Sequence, residues 1–298
     1  MDIVVFGAGS LGSLLGGLLA REHEVTLVAR PAQARTLRDG GLRLTGEFDD
    51  HVTPAVTTDI TGLSADLAIV AVKAFDTPSA AAELATGSFD AVLSVQNGMG
   101  NETLLADRLE CPILAGTVSY GALLEEPGVV ACTGRGTVVL GARSGGRTPI
   151  VEGVGTAFEA AGIETTVATD MPRRLWEKLA VNAGINPVTA LTGTSNGAIL
   201  EDPAADPART ATRETARVAR ANGISLSEQA ALTALERVAT ETAANTSSMA
   251  QDVRAGQRTE IDAINGYVLE QAPDSVAVPA NRHLAALVRT WEAGAGVR

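Results

Sequence analysis

A glycine motif near the start of the chain constrains the fold more than any other feature. Residues Gly7–Gly12 read Gly-Ala-Gly-Ser-Leu-Gly, between the apolar run Ile3–Phe6 and the helical pattern Leu11–Arg21. In a strand–turn–helix unit the first glycine permits a tight turn, the second lets main-chain amides approach a pyrophosphate, and the third lets the helix pack closely. We therefore expect six residues to contact a dinucleotide: Gly7, Ala8, Gly9, Ser10, Leu11 and Gly12.

The first half of the chain alternates short apolar runs with helical patterns, which is typical of a parallel, doubly wound α/β sheet of Rossmann type. The further strands predicted are Val25–Ala29, Asp66–Val72, Ala91–Val95 and Glu164–Ala168, with helices at Pro78–Ala85 and Pro149–Ala161. Val129–Thr133 and Thr137–Leu140 flank Gly134-Arg135-Gly136, which predicts a hairpin at the edge of the sheet.

The character of the sequence changes around residues 169–172. The chain beyond is rich in Ala, Glu and Arg with helical periodicity, and it includes the amphipathic segments Ser227–Ala239 and Ala280–Trp291. We predict a nucleotide-binding domain over residues 1–168 and an all-α domain over residues 169–298. The active site is expected in the cleft between them.

Basic residues follow two of the predicted strands. Where a site selective for NAD places an acidic residue to bind the ribose 2′-hydroxyl, this chain has Arg30, whose planar fork suits a 2′-phosphate. Lys73 follows the strand Asp66–Val72 and Asn97 follows the next one, so both face the ligand crevice. The pattern predicts NADPH as the cofactor; the alternatives are that Arg30 is solvated and that Asn97 only satisfies a turn.

The chain has only two lysines, Lys73 and Lys178, against 21 arginines. A lysine can release a proton near neutral pH when burial shifts its pKa, whereas arginine stays charged. Lys178, Asn182 and Asn186 are spaced four residues apart and share one face of a predicted helix. This stripe suits a small polar substrate, and Pro187 is expected to kink or end the helix.

A second polar region lies in residues 245–262. Asn245, Ser248 and Asp252 are spaced to share a helical face, and Glu260 is expected to open the next helix. Ser248 can donate a hydrogen bond to a carboxylate. Glu260 can pair with Lys178 or accept a hydrogen bond from a substrate hydroxyl, whereas Asp252 suits a capping or structural role.

Composition excludes several classes of partner. A net charge of -12 argues against nucleic acid and against anionic membranes. Residues 3–20 carry no charge but hold five glycines, which argues against a membrane span or signal peptide and favours a cytoplasmic protein. Two cysteines and three scattered histidines predict no metal site. The acidic, lysine-poor balance fits either a high-salt cytoplasm or nucleotide bias.

Several motifs together resemble the ketopantoate reductase (2-dehydropantoate 2-reductase) family. They are GAGSLG, VKAFDT, VQNGMGN, KLAVNAGINPVTALTG and SSMAQDVRAGQRTEIDAINGYV, spread over essentially the whole chain. The resemblance implies a Rossmann domain followed by a helical domain. It also implies reduction of ketopantoate by NADPH to (R)-pantoate, on the route to pantothenate and coenzyme A.

The resemblance also implies residue roles. It makes Lys178 the catalytic lysine and Glu260 its partner, with Asn97 beside the reaction centre, where it binds both the substrate and the cofactor. Substrate-binding roles fall on Asn182, Asn186, Asn245 and Ser248, and the basic pair near the cofactor phosphate is Arg30 and Lys73.

Two alternatives stay open: reduction of another branched 2-keto acid, and a non-catalytic NADPH sensor. The partner expected is a small 2-keto acid; a homodimer through the helical domain is compatible with the sequence, which does not set the oligomeric state.

Overall fold

The computed structural model describes all 298 residues, Met1–Arg298, as two compact units. Unit 1 comprises Met1–Gln96 and Asn101–Met171, and unit 2 comprises Asn97–Gly100 and Pro172–Arg298. Every strand lies in unit 1, and the regular elements of unit 2 are all helices. The predicted fold class, a doubly wound sheet followed by an all-α region, is confirmed. The short segment Asn97–Gly100 groups with the helical unit although it follows a strand of the sheet.

Unit 1 contains twelve strands. They are β1 (Asp2–Phe6), β2 (Glu24–Val28), β3 (Leu42–Gly46), β4 (Asp50–Val52), β5 (Ala55–Thr57), β6 (Ser64–Val70), β7 (Ser88–Ser94), β8 (Ile113–Val118), β9 (Gly121–Glu126), β10 (Val129–Gly134), β11 (Val138–Ala142) and β12 (Thr165–Val167). Eight form one sheet in the order β12-β11-β8-β7-β6-β1-β2-β5. All its neighbouring pairs are parallel except β8 and β11. The apolar runs of β1, β6 and β7 are buried because helices cover both faces of such a sheet.

The helices of unit 1 connect these strands. They are α1 (Ser10–Leu19), α2 (Pro31–Gly40), α3 (Thr77–Leu84), α4 (Asn101–Ala106) and α5 (Pro149–Ala160). Two adjacent glycines let α1 approach both sheets of the unit. A Cβ on Gly16 would lie 2.5 Å from Leu27 of the large sheet, and one on Gly17 would lie 2.7 Å from Leu44 of β3.

The remaining strands form a second sheet, in the order β4-β3-β10-β9. The predicted hairpin between Val129–Thr133 and Thr137–Leu140 is therefore wrong, because β10 lies in this sheet and β11 lies in the large one. Instead β10 pairs with β9, antiparallel, across Pro127-Gly128. Gly128 has a φ of +83°, so this Pro-Gly pair supplies the turn. Residues 135–137 carry the chain from one sheet to the other.

Unit 2 is built from six helices. They are α6 (Met171–Thr192), which begins at the unit boundary, α7 (Ala205–Ala221), α8 (Glu228–Glu241), α9 (Ser248–Arg254), α10 (Tyr267–Gln271) and α11 (Pro279–Ala295). A 3₁₀ turn spans Asn196–Leu200 and a π turn spans Asp262–Gly266. Trp176 and Tyr267 pack in the core with ring centroids 5.8 Å apart. None of the eleven helices of the chain has the length and apolar character needed to cross a bilayer.

The sequence predicts that Pro187 kinks or ends helix α6; the helix continues past it to Thr192, so the second of these two effects is excluded. Proline has no N–H to donate to the carbonyl four residues earlier, which here belongs to Ala183. A buried carbonyl left unpaired costs about 1–3 kcal/mol. The side-chain amide of Asn265 donates to the Ala183 oxygen at 3.1 Å and removes this penalty.

Candidate active site

Three glycines shape the turn between β1 and α1. Gly7 has a φ of +107°, and a Cβ there would lie 2.7 Å from Val72. A Cβ on Gly12 would lie 2.1 Å from the Gly7 oxygen. Gly9 differs, because a Cβ there would meet nothing within 4 Å. Packing therefore requires glycine at positions 7 and 12, whereas glycine at position 9 keeps open space beside the main chain, which fits the approach of a pyrophosphate.

The main chain of this turn presents hydrogen-bond donors. The first bond of α1 runs from Ser13 N to Gly9 O at 2.9 Å, so the amides of residues 10–12 precede the helical hydrogen-bond ladder. Such amides, with the helix dipole, attract phosphate. The Ser10 hydroxyl accepts a hydrogen bond from Leu124 N of β9 at 3.0 Å, which fixes it against the second sheet. The turn can hold a dinucleotide phosphate.

The predicted basic pair lies in the loops that follow β2 and β6. Arg30 is the N-cap of α2; its side chain is 92% exposed, and its Nη2 lies 4.0 Å from Asp76 Oδ2. Strand β6 ends at Val70 rather than at the predicted Val72, so Lys73 lies in the loop and caps a 3₁₀ turn. Buried Gln96 holds this loop by donating to the Val72 carbonyl at 3.0 Å. The cofactor role of both cations stays a prediction.

Helix α6 carries the predicted polar stripe of unit 2. Lys178, Asn182 and Asn186 all lie within this unbroken helix, as their spacing predicted. Lys178 and Asn182 are partly exposed, whereas Asn186 is buried. Two leucines, Leu175 and Leu179, are buried beside the stripe and provide the packing that fixes the helix.

Glu260 lies just before the π turn rather than opening a helix as predicted. It is 6% exposed, and its carbonyl accepts hydrogen bonds from the amides of Ala263 and Ile264, both at 3.1 Å. Gly266 N reaches back five residues to Ile261 O at 2.9 Å, which gives the turn its wide π geometry. Single π turns inside helices are frequent at functional sites.

The segment Asn97–Gly100 packs on the same π turn. Met99 N donates to the Ala263 carbonyl at 2.9 Å. Gly98, with a φ of +79°, approaches so closely that a Cβ there would lie 2.6 Å from Ala263. Asn97, predicted beside the reaction centre, is thereby attached to the part of unit 2 that carries Glu260.

The start of α9 differs from the prediction. The helix begins at Ser248 and is capped by Ser247, whose hydroxyl accepts from Ala250 N at 3.2 Å. Asn245 lies outside the helix, because the Ser247 cap makes Ser248 the first helical residue. The prediction that Asn245 shares a helical face with Ser248 and Asp252 is therefore wrong. The Ser247 hydroxyl also hydrogen-bonds Thr189 of α6 at 2.7 Å, which connects this region to α6.

Three arginines surround Asp262 at the start of the π turn. Arg258, Arg289 and Arg298 lie 3.7, 2.8 and 2.9 Å from its carboxylate. Burial raises the pKa of Asp262, but hydrogen bonds from Arg289 and Arg298 outweigh burial and hold that pKa below its ordinary value. Arg298 also pairs with the fully buried Glu292. Ion pairs to Asp262 therefore help to fix the segment that carries Glu260.

Sequence reasoning did not single out Asn265, Asn281 or Ser247. Asn265 and Asn281 are both fully buried and hydrogen-bonded to each other at 2.9 Å. The available signal was Pro187, because a proline inside a helix leaves a carbonyl that needs another donor. The sequence does not say which of many distant amides provides it.

Within the chain, no three His, Cys, Asp or Glu side chains are grouped as a metal site would require.

Comparisons with known proteins agree with this arrangement. The family model "Ketopantoate reductase PanE/ApbA" matches residues 3–145, and its C-terminal counterpart matches residues 170–292. The chain belongs to the ketopantoate reductase family. A 2-dehydropantoate 2-reductase of Halobacterium salinarum is 44% identical over 97% of this chain and 98% of its own length. The corresponding enzyme of Pyrococcus horikoshii is 37% identical over 99% of both chains.

A solved ketopantoate reductase shares the architecture of the whole chain. The crystal structure of a PanE/ApbA family ketopantoate reductase from Ralstonia eutropha is 34% identical in sequence and has a TM-score of 0.91. The match covers 99% of this chain and all of the other. Membership of the ketopantoate reductase family, which the motifs implied, is thus confirmed over the full length.

Proposed function

We propose that this protein is an NADPH-dependent 2-dehydropantoate 2-reductase that converts ketopantoate to (R)-pantoate. The observation that carries the proposal is the arrangement inside unit 2. Helix α6 and the loop Asn97–Gly100 are both hydrogen-bonded to the π turn beside Glu260, through the main chain of Ala183 and of Met99. Ammonium, carboxylate and carboxamide groups on connected elements suit a small hydroxylated keto acid.

The residues of unit 1 fit NADPH. Open space beside Gly9 and the amides at the start of α1 receive the pyrophosphate. Arg30, which is exposed and has only a long ion pair to Asp76, binds the 2′-phosphate with its planar fork. Lys73 adds a second positive charge. When bound, the nicotinamide supplies a hydride to the keto carbon of the substrate.

The residues of unit 2 stabilise the charge that develops on the substrate. Lys178 faces the carbonyl oxygen, stabilises its negative charge and then gives up a proton to it. Asn182 and Asn186 orient the substrate, and Ser248 and Asn245 bind its carboxylate. Glu260 accepts a hydrogen bond from the substrate hydroxyl, which distinguishes ketopantoate from purely aliphatic 2-keto acids, because those leave the buried carboxylate without that donor.

The test is a cofactor-oxidation assay with the purified protein. Following nicotinamide absorbance, we expect rapid NADPH oxidation with ketopantoate and slow oxidation with 3,3-dimethyl-2-oxobutanoate, the analogue that lacks only its hydroxyl group. The matched control is the same pair of substrates with Glu260→Gln, in which the preference for ketopantoate shrinks. Equal rates with both acids would assign the protein to another branched 2-keto acid. No turnover with any 2-keto acid, together with tight NADPH binding, would favour a sensor.

A further inference from the structure

Pro187 leaves the carbonyl of Ala183 without its usual donor within the helix, and a residue distant in sequence supplies a donor instead. Its ring removes the N–H that would pair with the carbonyl of Ala183, yet α6 continues for five more residues and Ala183 is fully buried. The Nδ2 of Asn265, 82 positions further along the chain, lies 3.1 Å from that oxygen. A carbonyl can only accept, so the amide nitrogen and not the amide oxygen must face it.

The orientation of the Asn265 side chain is fixed by further buried hydrogen bonds. Its Nδ2 also donates to Asn281 Oδ1 at 2.9 Å, while Asn281 Nδ2 donates to the carboxylate of Glu214 at 2.9 Å. Glu214 accepts in addition from the amides of Ala280 and Asn281, both at 3.0 Å. All three side chains are at most 1% exposed. The amide of Asn265 is therefore locked by a buried network rather than free to turn.

This hydrogen bond joins two of the segments that carry proposed substrate-binding groups, α6 and the segment that begins at Glu260. Ala183 directly follows Asn182 in α6, and Asn265 lies in the π turn five residues after Glu260. The other side of Glu260 is also anchored, because Thr259 donates through its amide and its hydroxyl to Glu292 Oε1, at 2.8 and 2.7 Å. Misplacing a binding group by about 1 Å is enough to reduce catalysis about 100-fold.

We propose that Asn265 is a positioning residue, which takes the place of the main-chain donor lost at Pro187 and thereby sets the distance between the amide stripe of α6 and Glu260. The inference rests on the proposed function for the identity of the substrate, but the hydrogen bond itself does not. Proline at position 187 has a role in this arrangement: it keeps the Ala183 carbonyl available to the side chain of Asn265.

The test separates positioning from stability by a double-mutant cycle. Asn265→Leu is made in the wild-type background and in a Pro187→Ala background, where the new N–H can pair with Ala183 O inside the helix. We expect Asn265→Leu to lower the Tm less in the Pro187→Ala background. The single and the double variant should both have a KM for ketopantoate about tenfold or more above that of the wild type, with the Kd for NADPH unchanged.

Two outcomes would overturn the proposal. One is a KM for ketopantoate that recovers together with the Tm when Pro187→Ala is added, because Asn265 would then only stabilise the fold. The other is an unchanged KM in Asn265→Leu in the wild-type background. Failure of the proposed function is read separately, from the wild-type protein with ketopantoate. If another 2-keto acid is the substrate, the same cycle is measured with that acid.

Discussion

Lys178 and Lys73 are the only lysines of the chain, and the proposed function gives them different tasks. Lys178→Ala removes the proton donor, so we expect kcat to fall about 100- to 10,000-fold with NADPH binding retained. Lys73→Ala is the matched control, because it removes the other ammonium and should weaken NADPH binding with less effect on kcat. Stopped-flow turnover and fluorescence titration measure both. Turnover near the wild-type rate in Lys178→Ala would contradict the proposed mechanism.

Arg30 is the residue that decides cofactor preference in this proposal. Hydrogen bonds to a charged group contribute about 1.5–3 kcal/mol. We therefore expect Arg30→Ala to lower the ratio of kcat/KM for NADPH to kcat/KM for NADH by about 10- to 100-fold. Arg35→Ala, which removes an exposed arginine further along α2, should leave the ratio close to that of the wild type. A strong preference of the wild-type protein for NADH would remove the role assigned to Arg30.

At the scale of elements, the loop Asn97–Gly100 offers a matched pair of glycines. Gly98 and Gly100 both have positive φ, +79° and +93°, so alanine costs about 1 kcal/mol of backbone strain at either position. Only at Gly98 does a Cβ also meet Ala263 at 2.6 Å; at Gly100 the nearest atom is a Tyr267 ring carbon at 3.4 Å.

We therefore expect Gly98→Ala to displace the loop from the π turn and to raise the KM for ketopantoate well above the value for Gly100→Ala. Steady-state kinetics and thermal unfolding of the two variants measure the difference. Equal losses in both variants would mean that backbone strain, and not packing on Ala263, sets the conformation of this loop.

The ion cluster at the start of the π turn predicts a dependence of stability on pH. Because the folded pKa of Asp262 lies below its ordinary value, its ion pairs stabilise the protein above a pH of about 4, where the unfolded carboxyl is charged. That contribution is lost as the pH falls through the folded pKa. We expect Asp262→Asn to lower the Tm near neutral pH, and the Tm difference from the wild type to shrink in acid.

The control for this series is Asp274→Asn, which changes an exposed carboxylate between α10 and α11. Thermal unfolding of all three proteins at stepped pH gives the comparison. A Tm difference for Asp262→Asn that grows as the pH falls would show that the carboxylate destabilises the fold.

At the scale of the whole molecule, the net charge of -12 governs the response to salt. Carboxylates in excess repel one another, and added salt screens this repulsion, with a Debye length that falls from about 30 Å at 0.01 M to about 3 Å at 1 M. Salt also weakens the exposed ion pairs, but each of these contributes only about 0–1 kcal/mol. We expect the Tm to rise with sodium chloride concentration. Stability that peaks in dilute buffer would contradict this.

The sequence predicted those elements that are specified by patterns within a few neighbouring residues. The glycine turn, the strands β1, β2, β6 and β7, and helix α6 with its polar stripe all follow from short-range patterns that the structure confirms. The residues of the predicted site stay predictions, but the placement of Lys178, Asn182 and Asn186 on α6 could be read from spacing alone.

Other features were decided only by tertiary structure. The partner of β10 is β9 because the Pro127-Gly128 turn and the second sheet outweigh the glycines at 134 and 136, and strand pairing depends on long-range contacts. Helix α6 passes Pro187 because Asn265, which lies 82 positions after Ala183 in the chain, donates to the Ala183 carbonyl. A pattern within a few residues specifies a strand, a turn or a helical face. The donor for a buried carbonyl and the neighbour of a strand depend on how the whole chain packs, because burial is what makes an unpaired polar group costly.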